Sequence, residues 1–230
     1  MPLSRSAVDK LGERLRSGDA AEGDWTLLEE LRDLRRQHLD LVITLLRDEF
    51  TLAATGRVKT INTLVEKLRR GRTRLSRMDD VAGARIKVNG GRSEQDDLVA
   101  RLVDLWPDAR VKDRRHEPMH GYRAVHVIPT IEGWPLEIQV RTLRQDTMAN
   151  ILERTADRWG RQIRYGGGPD DGEQPAFGPD TLARADFVRL VKALAEAVAL
   201  GETGRIDPID QSLVDSAIAD ISALLDLAPE

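Results

Sequence analysis

Residues 113–142 read DRRHEPMHGYRAVHVIPTIEGWPLEIQVRT. Two runs of alternating apolar residues, 122–131 and 134–140, flank the turn-forming pair Glu132-Gly133. The first run is rich in β-branched side chains, which suit a pleated surface. A strand sends successive side chains to opposite faces. Leu136, Ile138 and Val140 therefore share one face of the second run, and Glu137, Gln139 and Arg141 share the other. A carboxylate, an amide and a guanidinium aligned on a strand of Leu, Ile and Val mark either a polar site on a sheet or the solvent face of an edge strand.

Upstream, residues 1–18 form an amphipathic helix with Leu3, Val8, Leu11 and Leu15 on one stripe and Gly18 at its end. From Trp25 to about Ala54, Leu28, Leu31, Leu34, Leu41, Leu45 and Leu46 recur at helical spacing, with Asp24 placed as the N-cap and Gly56 as the break. Thr60 or Asn62 caps a further helix to Arg70, a basic loop covers 71–77, and 78–83 reads as a helical turn. A first strand at 84–88, the turn Asn89-Gly90-Gly91, a helix from Ser93 to Leu105 and a second strand at 109–112 lead into the quoted stretch. Helix resumes over 143–161, and a Gly- and Pro-rich stretch follows to Pro179. Two amphipathic helices, about 181–200 and 208–227, close the chain and carry no chemistry of their own.

The pattern is an α+β fold, with a mixed, mainly antiparallel β-sheet flanked by helices and extra N- and C-terminal helices. The organisation it implies is N-terminal helices at 1–55 packing on a catalytic domain at 56–163. A flexible linker at 164–180 and C-terminal helices at 181–230 complete it.

At 230 residues the chain is long enough for one substantial core. A net charge of -4 lacks the global basic signature of a nucleic-acid binder. Arg and Lys nevertheless crowd at 57–77 and 110–115, which fits a polyphosphate ligand better than a long duplex. Without cysteine there is no disulfide framework and no thiolate zinc site. No apolar run approaches membrane-spanning length and the N-terminus lacks a signal-peptide core, so the expected location is the cytoplasm.

Several residues are candidates for chemistry. Arg57 and Lys59 lie near a helix start and Lys67 two turns into that helix, a grip for a triphosphate. Taken alone, they read better as solvated surface charges. Asp80, ahead of a glycine and a strand, is a Mg2+ candidate in competition with Asp79 and with a capping role. Glu137 is a charge in an apolar strand. Tyr122 offers its ring to a base or to the core. His126 shares its strand face by parity, and a lone strand histidine is more often structural.

Jointly, Arg57-x-Lys59, Lys67, Asp80-x-x-Gly83-x-Arg85-Ile86, Gly121-Tyr122-Arg123-Ala124-Val125-His126 and Glu137-Ile138-Gln139-Val140-Arg141-Thr142 resemble the RelA/SpoT alarmone-synthetase family over about residues 50 to 160. The resemblance implies a nucleotidyltransferase-like synthetase domain and an ATP-dependent pyrophosphokinase with Mg2+ as cofactor. Such an enzyme moves the β,γ-pyrophosphoryl group of ATP to the 3′-hydroxyl of GDP or GTP to make (p)ppGpp. It implies Arg57 on the adenine, Lys59 and Lys67 on the ATP phosphates, and Arg85 in support. Asp80 and Glu137 would hold Mg2+, with Glu137 also activating the hydroxyl. Tyr122 would stack on the acceptor base, and His126, Gln139 and Arg141 would support the polar network there.

One departure concerns the loop Glu117-Pro118-Met119-His120-Gly121-Tyr122. The family's Lys after the Pro is missing and the loop is one residue shorter. Lys112, Arg114 or Arg115 are the stand-ins; without one, a catalytically inactive regulatory module is the other reading. The HD hydrolase half and long regulatory regions are absent, as in the single-domain small synthetases, which are often homo-oligomers. Residues 75–83 and 163–168 resemble the toxic branch of those enzymes. That branch implies the 3′-terminal adenosine of tRNA, or adenosine nucleotides, as alternative acceptors and an antitoxin as partner.

Overall fold

Helix boundaries in the computed structural model, which describes residues 3–227, follow the capping chemistry with instructive shifts. Met1, Pro2 and residues 228–230, included in the expected terminal segments, lie outside the described residues. Helix α1 (Arg5–Ser17) starts with the Ser4 hydroxyl accepting the Ala7 N–H and ends at Gly18 with φ 89°. Asp24, expected as an N-cap, is instead the third residue of α2 (Glu22–Phe50). Its carboxylate reaches back to the Ala21 N–H at 3.0 Å, and Arg14 of α1 donates to it at 2.8 Å. The helix therefore starts two residues before Asp24, which closes the first turn from its third position.

Helix α2 stops at Phe50, and the chain then forms a strand the periodicity did not show, β1 (Ala54–Val58). Gly56 is not a helix breaker. A Cβ there would stand 2.6 Å from Ile43 and 2.9 Å from Leu39. The glycine lets β1 lie directly on α2 without displacing those two side chains. Leu41, placed on the inward stripe, is exposed; Leu39, Val42 and Leu46 do the packing.

Helix α3 (Ile61–Arg70) begins at the Thr60 cap. Residues 78–83 are not helical. A short 3-10 turn occupies Leu75–Arg77, and β2 (Ala82–Val88) starts two residues earlier than expected. Its pairing with β1 and the burial of Ala82, Ala84 and Ile86 hold it extended from Ala82 onward. Then come α4 (Arg92–Leu105), β3 (Arg110–Asp113), β4 (Val125–Ile128), β5 (Thr130–Ile131), β6 (Trp134–Pro135), β7 (Glu137–Thr142), α5 (Leu143–Trp159), α6 (Arg184–Glu202) and α7 (Pro208–Leu227). Helix α4 thus starts ahead of Ser93, its expected cap.

The main sheet runs β1-β2-β7-β4-β3 and is mixed and mainly antiparallel, as expected. Each long run of the quoted stretch is cut in two. Pro129 cannot donate to a ladder, and its carbonyl takes the Leu136 N–H at 3.0 Å. Beyond that point β5 and β6 form a separate ribbon, closed by Glu132 (φ 48°) and Gly133 (φ 86°). Two positive φ values are what a tight type I′ hairpin requires.

The chain divides into two compact units that interleave along the sequence. The first comprises Met1–Ile86, Val99–Lys112 and His126–Val140; the second comprises Lys87–Leu98, Asp113–Val125 and Arg141–Glu230. In the first, Leu11 and Leu15 of α1, Leu28 and Leu31 of α2, and Leu64 and Leu68 of α3 share one core. In the second, Met148, Trp159, Phe187, Val191 and Ile221 join α5, α6 and α7. The stretch read as a linker packs there too. Ala176 is buried, Phe177 meets Trp159 edge-on at 5.4 Å, and the Asp170 N–H donates to the Trp159 carbonyl. It is a docked loop rather than a free tether. Among the described residues no helix is long and apolar enough to cross a membrane.

Candidate active site

Antiparallel pairing in the first unit sets Arg57 opposite Gly83 and Thr55 opposite Arg85. Directly opposed residues point to the same face. Gly56, Ala84 and Ile86 take the face toward α2, so Arg57, Gly83 and Arg85 share the open one. Arg57 therefore works from a strand, not from a helix start. Gly83 is needed at this point: a Cβ would lie 3.1 Å from the Glu137 carbonyl oxygen and 3.8 Å from the Glu137 Cβ. Strand β7 thereby brings Glu137 onto the same face.

Asp80 precedes β2 and gathers the two lysines. Its Oδ2 lies 2.6 Å from Lys67 Nζ and 3.1 Å from Lys59 Nζ. Lys59 is fixed by its own N–H, which donates to the Val81 carbonyl at 2.9 Å, and Lys67 by the helix that Thr60 caps. The neighbouring Asp79 is spoken for: Lys112 donates to it at 2.7 Å, and Arg110 also pairs with it. Strand β3 thus occupies Asp79, while the two lysines pair with Asp80. Asp80 Oδ1, by contrast, is buried without a hydrogen-bond partner. A buried carboxylate oxygen left unsatisfied is costly and points to a ligand position.

Glu137 is buried, with Oε1 3.0 Å from His126 Nδ1 and Oε2 accepting from Gln139 Nε2 at 2.6 Å. Burial pushes its pKa up, but the hydrogen bonds of His126 and Gln139 and the positive charge of Lys67 outweigh that and hold it at about 2. It is an ionised carboxylate throughout the physiological range. His126 and Gln139, expected beside the acceptor, thus sit on Glu137 and orient it.

The donor set fits Mg2+. That ion usually takes one or two carboxylates and completes its shell with phosphate oxygens and water. Asp80 offers an open oxygen and Glu137 a permanent charge. Among the described residues no group of three or more His, Cys, Asp or Glu that could hold a metal ion gathers.

In the second unit, Tyr122 ends a two-residue turn. Met119 and Tyr122 exchange hydrogen bonds of 3.2 and 3.0 Å, and His120 (φ 53°) and Gly121 (φ 96°) are both left-handed. The shortened loop is therefore a type I′ hairpin turn. Since β4 starts only at Val125, the turn places Tyr122, and the parity argument with His126 fails. Arg141 is 1% exposed and donates to Asp146 Oδ1 at 3.0 Å and to the Tyr122 hydroxyl at 3.2 Å. Asn150 also donates to Asp146, at 3.4 Å, so the carboxylate has a neutral partner beside the Arg141 charge. Arg141 thus joins Tyr122 and Asp146 in one polar network. Asp146 escapes a sequence reading; its only signal is an acidic residue in the first turn of the helix after Arg141.

Of the three cations considered for the missing Lys, Lys112 is held by Asp79. Arg115 is bound to Asp113, Asp96 and Gln95. Arg114 makes no ion pair among the described residues, and its Nε is buried without a partner.

The architecture is that of the small alarmone synthetases, a pyrophosphokinase-type transferase fold. A GTP pyrophosphokinase family protein from Streptococcus pneumoniae matches with a TM-score of 0.56 at 21% identity, over 81% of this chain and 96% of its own. Small alarmone synthetase 1 from Bacillus subtilis, bound to its product pppGpp, matches with a TM-score of 0.53 at 21% identity, over 77% and 94%. The family model for the region found in RelA / SpoT proteins matches residues 56–156. The uncharacterized protein Rv1366 of Mycobacterium tuberculosis is 34% identical over 205 residues, 86% of this chain and 73% of that protein. The chain belongs to the RelA/SpoT family.

Proposed function

We propose that the protein is an ATP-dependent pyrophosphokinase that transfers the β,γ-pyrophosphoryl group of ATP to the 3′-hydroxyl of GDP or GTP. The observation that carries this reading is Asp80, with two lysines on one oxygen and none on the other, ahead of the strand that pairs with Arg57. In the step, the 3′-oxygen bonds to the β-phosphorus, the bond from that phosphorus to the α-phosphate oxygen breaks, and AMP leaves. Such transfers need alignment and charge neutralisation more than covalent chemistry. Lys59 and Lys67 neutralise the polyphosphate, and Arg57 stacks on the adenine. Asp80 and Glu137 would hold Mg2+, which when bound would supply neutralising charge to the phosphates. A carboxylate held at about 2 is a weak base. Glu137 therefore orients the hydroxyl and takes up its proton only as the new O–P bond forms. Tyr122 stacks on the acceptor base, and Arg114 serves the acceptor phosphates in place of the missing Lys. The pppGpp bound to the Bacillus subtilis relative supports a guanosine acceptor.

The test offers GDP, GTP, ATP and deacylated tRNA separately to purified protein with Mg2+ and ATP labelled in the β or γ phosphate. Label is expected on GDP and GTP. Label on tRNA alone moves the reading to its 3′-terminal adenosine, and label on none removes the transferase reading in favour of a regulatory module. In the same assay, Lys59→Ala is expected to raise the KM for ATP by about 10- to 100-fold with little change for the acceptor. Unchanged ATP dependence would remove Lys59 from the grip. Arg114→Ala is expected to raise the acceptor KM by about tenfold and spare ATP; the opposite pattern returns Arg114 to a structural role.

A further inference from the structure

Helix α6 begins beyond residue 156, where the RelA/SpoT match ends, yet it makes the contacts that fix the turn carrying Tyr122. Arg123 is 6% exposed. It donates to the Ala195 carbonyl at 3.0 Å, to the Gly121 carbonyl at 3.4 Å and to Glu196 Oε2 at 2.6 Å. On the other side of Tyr122, Gly121 is pressed against the same helix. A Cβ there would stand 3.2 Å from Ala195 Cβ and 3.5 Å from Leu152.

Both chain neighbours of Tyr122 are thus held by α6. The chain has only two soft dihedrals per residue, so Tyr122 follows its neighbours. A guanidinium that served packing alone could be satisfied by helix carbonyls. This one also grips the turn's own Gly121 carbonyl, and its carboxylate partner is 61% exposed, where an ion pair adds little stability. The arrangement holds geometry more than it adds stability.

We propose that Arg123 and Glu196 are positioning residues for the acceptor. Through them α6 holds the 119–122 turn in the register that presents the Tyr122 ring to the acceptor base. The inference rests on the pyrophosphokinase reading for what the ring does, and on the contacts alone for what holds it.

The experiment combines acceptor kinetics with hydrogen exchange over residues 117–124 in wild type, Glu196→Ala, Glu196→Gln and Arg123→Lys. Glu196 is exposed enough for its variants to fold. Glu196→Ala is expected to raise the KM for GDP about five- to tenfold, leave the KM for ATP unchanged and lower kcat less than twofold. Amide exchange at Met119 and Tyr122 is expected to speed up severalfold. Glu196→Gln, which retains an acceptor, is expected to recover most of the loss. Arg123→Lys, whose ammonium cannot serve the same three oxygens in a planar fork, is expected to resemble Glu196→Ala. Equal rises in both KM values, or faster exchange with an unchanged GDP KM, would overturn the proposal. If wild type labels no acceptor, the pyrophosphokinase reading falls, and exchange alone then decides the clamp: unchanged exchange in Glu196→Ala overturns it.

Discussion

Glu137→Gln is expected to lower kcat by about three orders of magnitude while changing either KM only a few-fold. The substitution keeps the size of the side chain, removes its charge and turns one of its two acceptor oxygens into a donor. A charge aimed at the reacting centre acts mainly in the transition state, and its loss appears in kcat. The same variant has a stability signature. Glu137 is held at about 2, below its ordinary value of 4.5. A carboxylate whose folded pKa is depressed contributes stability that is fully present above the unfolded value and is lost as pH falls through the folded one. Wild type should therefore lose an increment of stability between about pH 4.5 and 2 that Glu137→Gln lacks, and their urea midpoints should converge across that window. Parallel midpoints would mean that the carboxylate is not held as described, and an undiminished kcat would remove Glu137 from the chemistry.

How far the sequence reaches is clearest at the opening stretch. Leu136, Ile138 and Val140 are each fully buried, as the period of two requires. Glu137 and Gln139 lie on the other face as a hydrogen-bonded pair. Alternation fixes which way a side chain points, not what waits there. Arg141 shares that face by parity and is nevertheless sealed by Asp146, a partner supplied by the start of the next helix. Gly56 shows a second limit of local reading, since a glycine marks either a break or a close approach. Only the return of β1 onto Leu39 and Ile43 decides between them. The same holds for Asp79 and Asp80, adjacent and chemically identical. Arg110 and Lys112, some thirty residues on, claim the first and leave the second to the lysines. The motifs that carry the family resemblance were legible because each lies in one short segment. The α6 clamp was not, because Arg123 and Glu196 meet across a sequence separation of 73.

That separation of roles makes Asp80→Asn and Asp79→Asn a decisive pair. Asp80→Asn is expected to lower kcat/KM for ATP at least 100-fold. Two ammonium groups lose their shared anion, and the open oxygen that would face Mg2+ becomes half of a neutral amide. Titration calorimetry gives a readout independent of turnover: ATP affinity in wild type should rise when Mg2+ is added, and in Asp80→Asn that gain should largely vanish. Stability should move little, because the ion pairs are partly exposed and together contribute about 1 kcal/mol. Asp79→Asn should keep its rate within severalfold of wild type and likewise move stability little, because its partners Arg110 and Lys112 are more exposed still. If Asp79→Asn instead abolishes the Mg2+ gain while Asp80→Asn retains it, the metal assignment passes to Asp79. The paired lysines would then be a structural clasp between α3 and the start of β2.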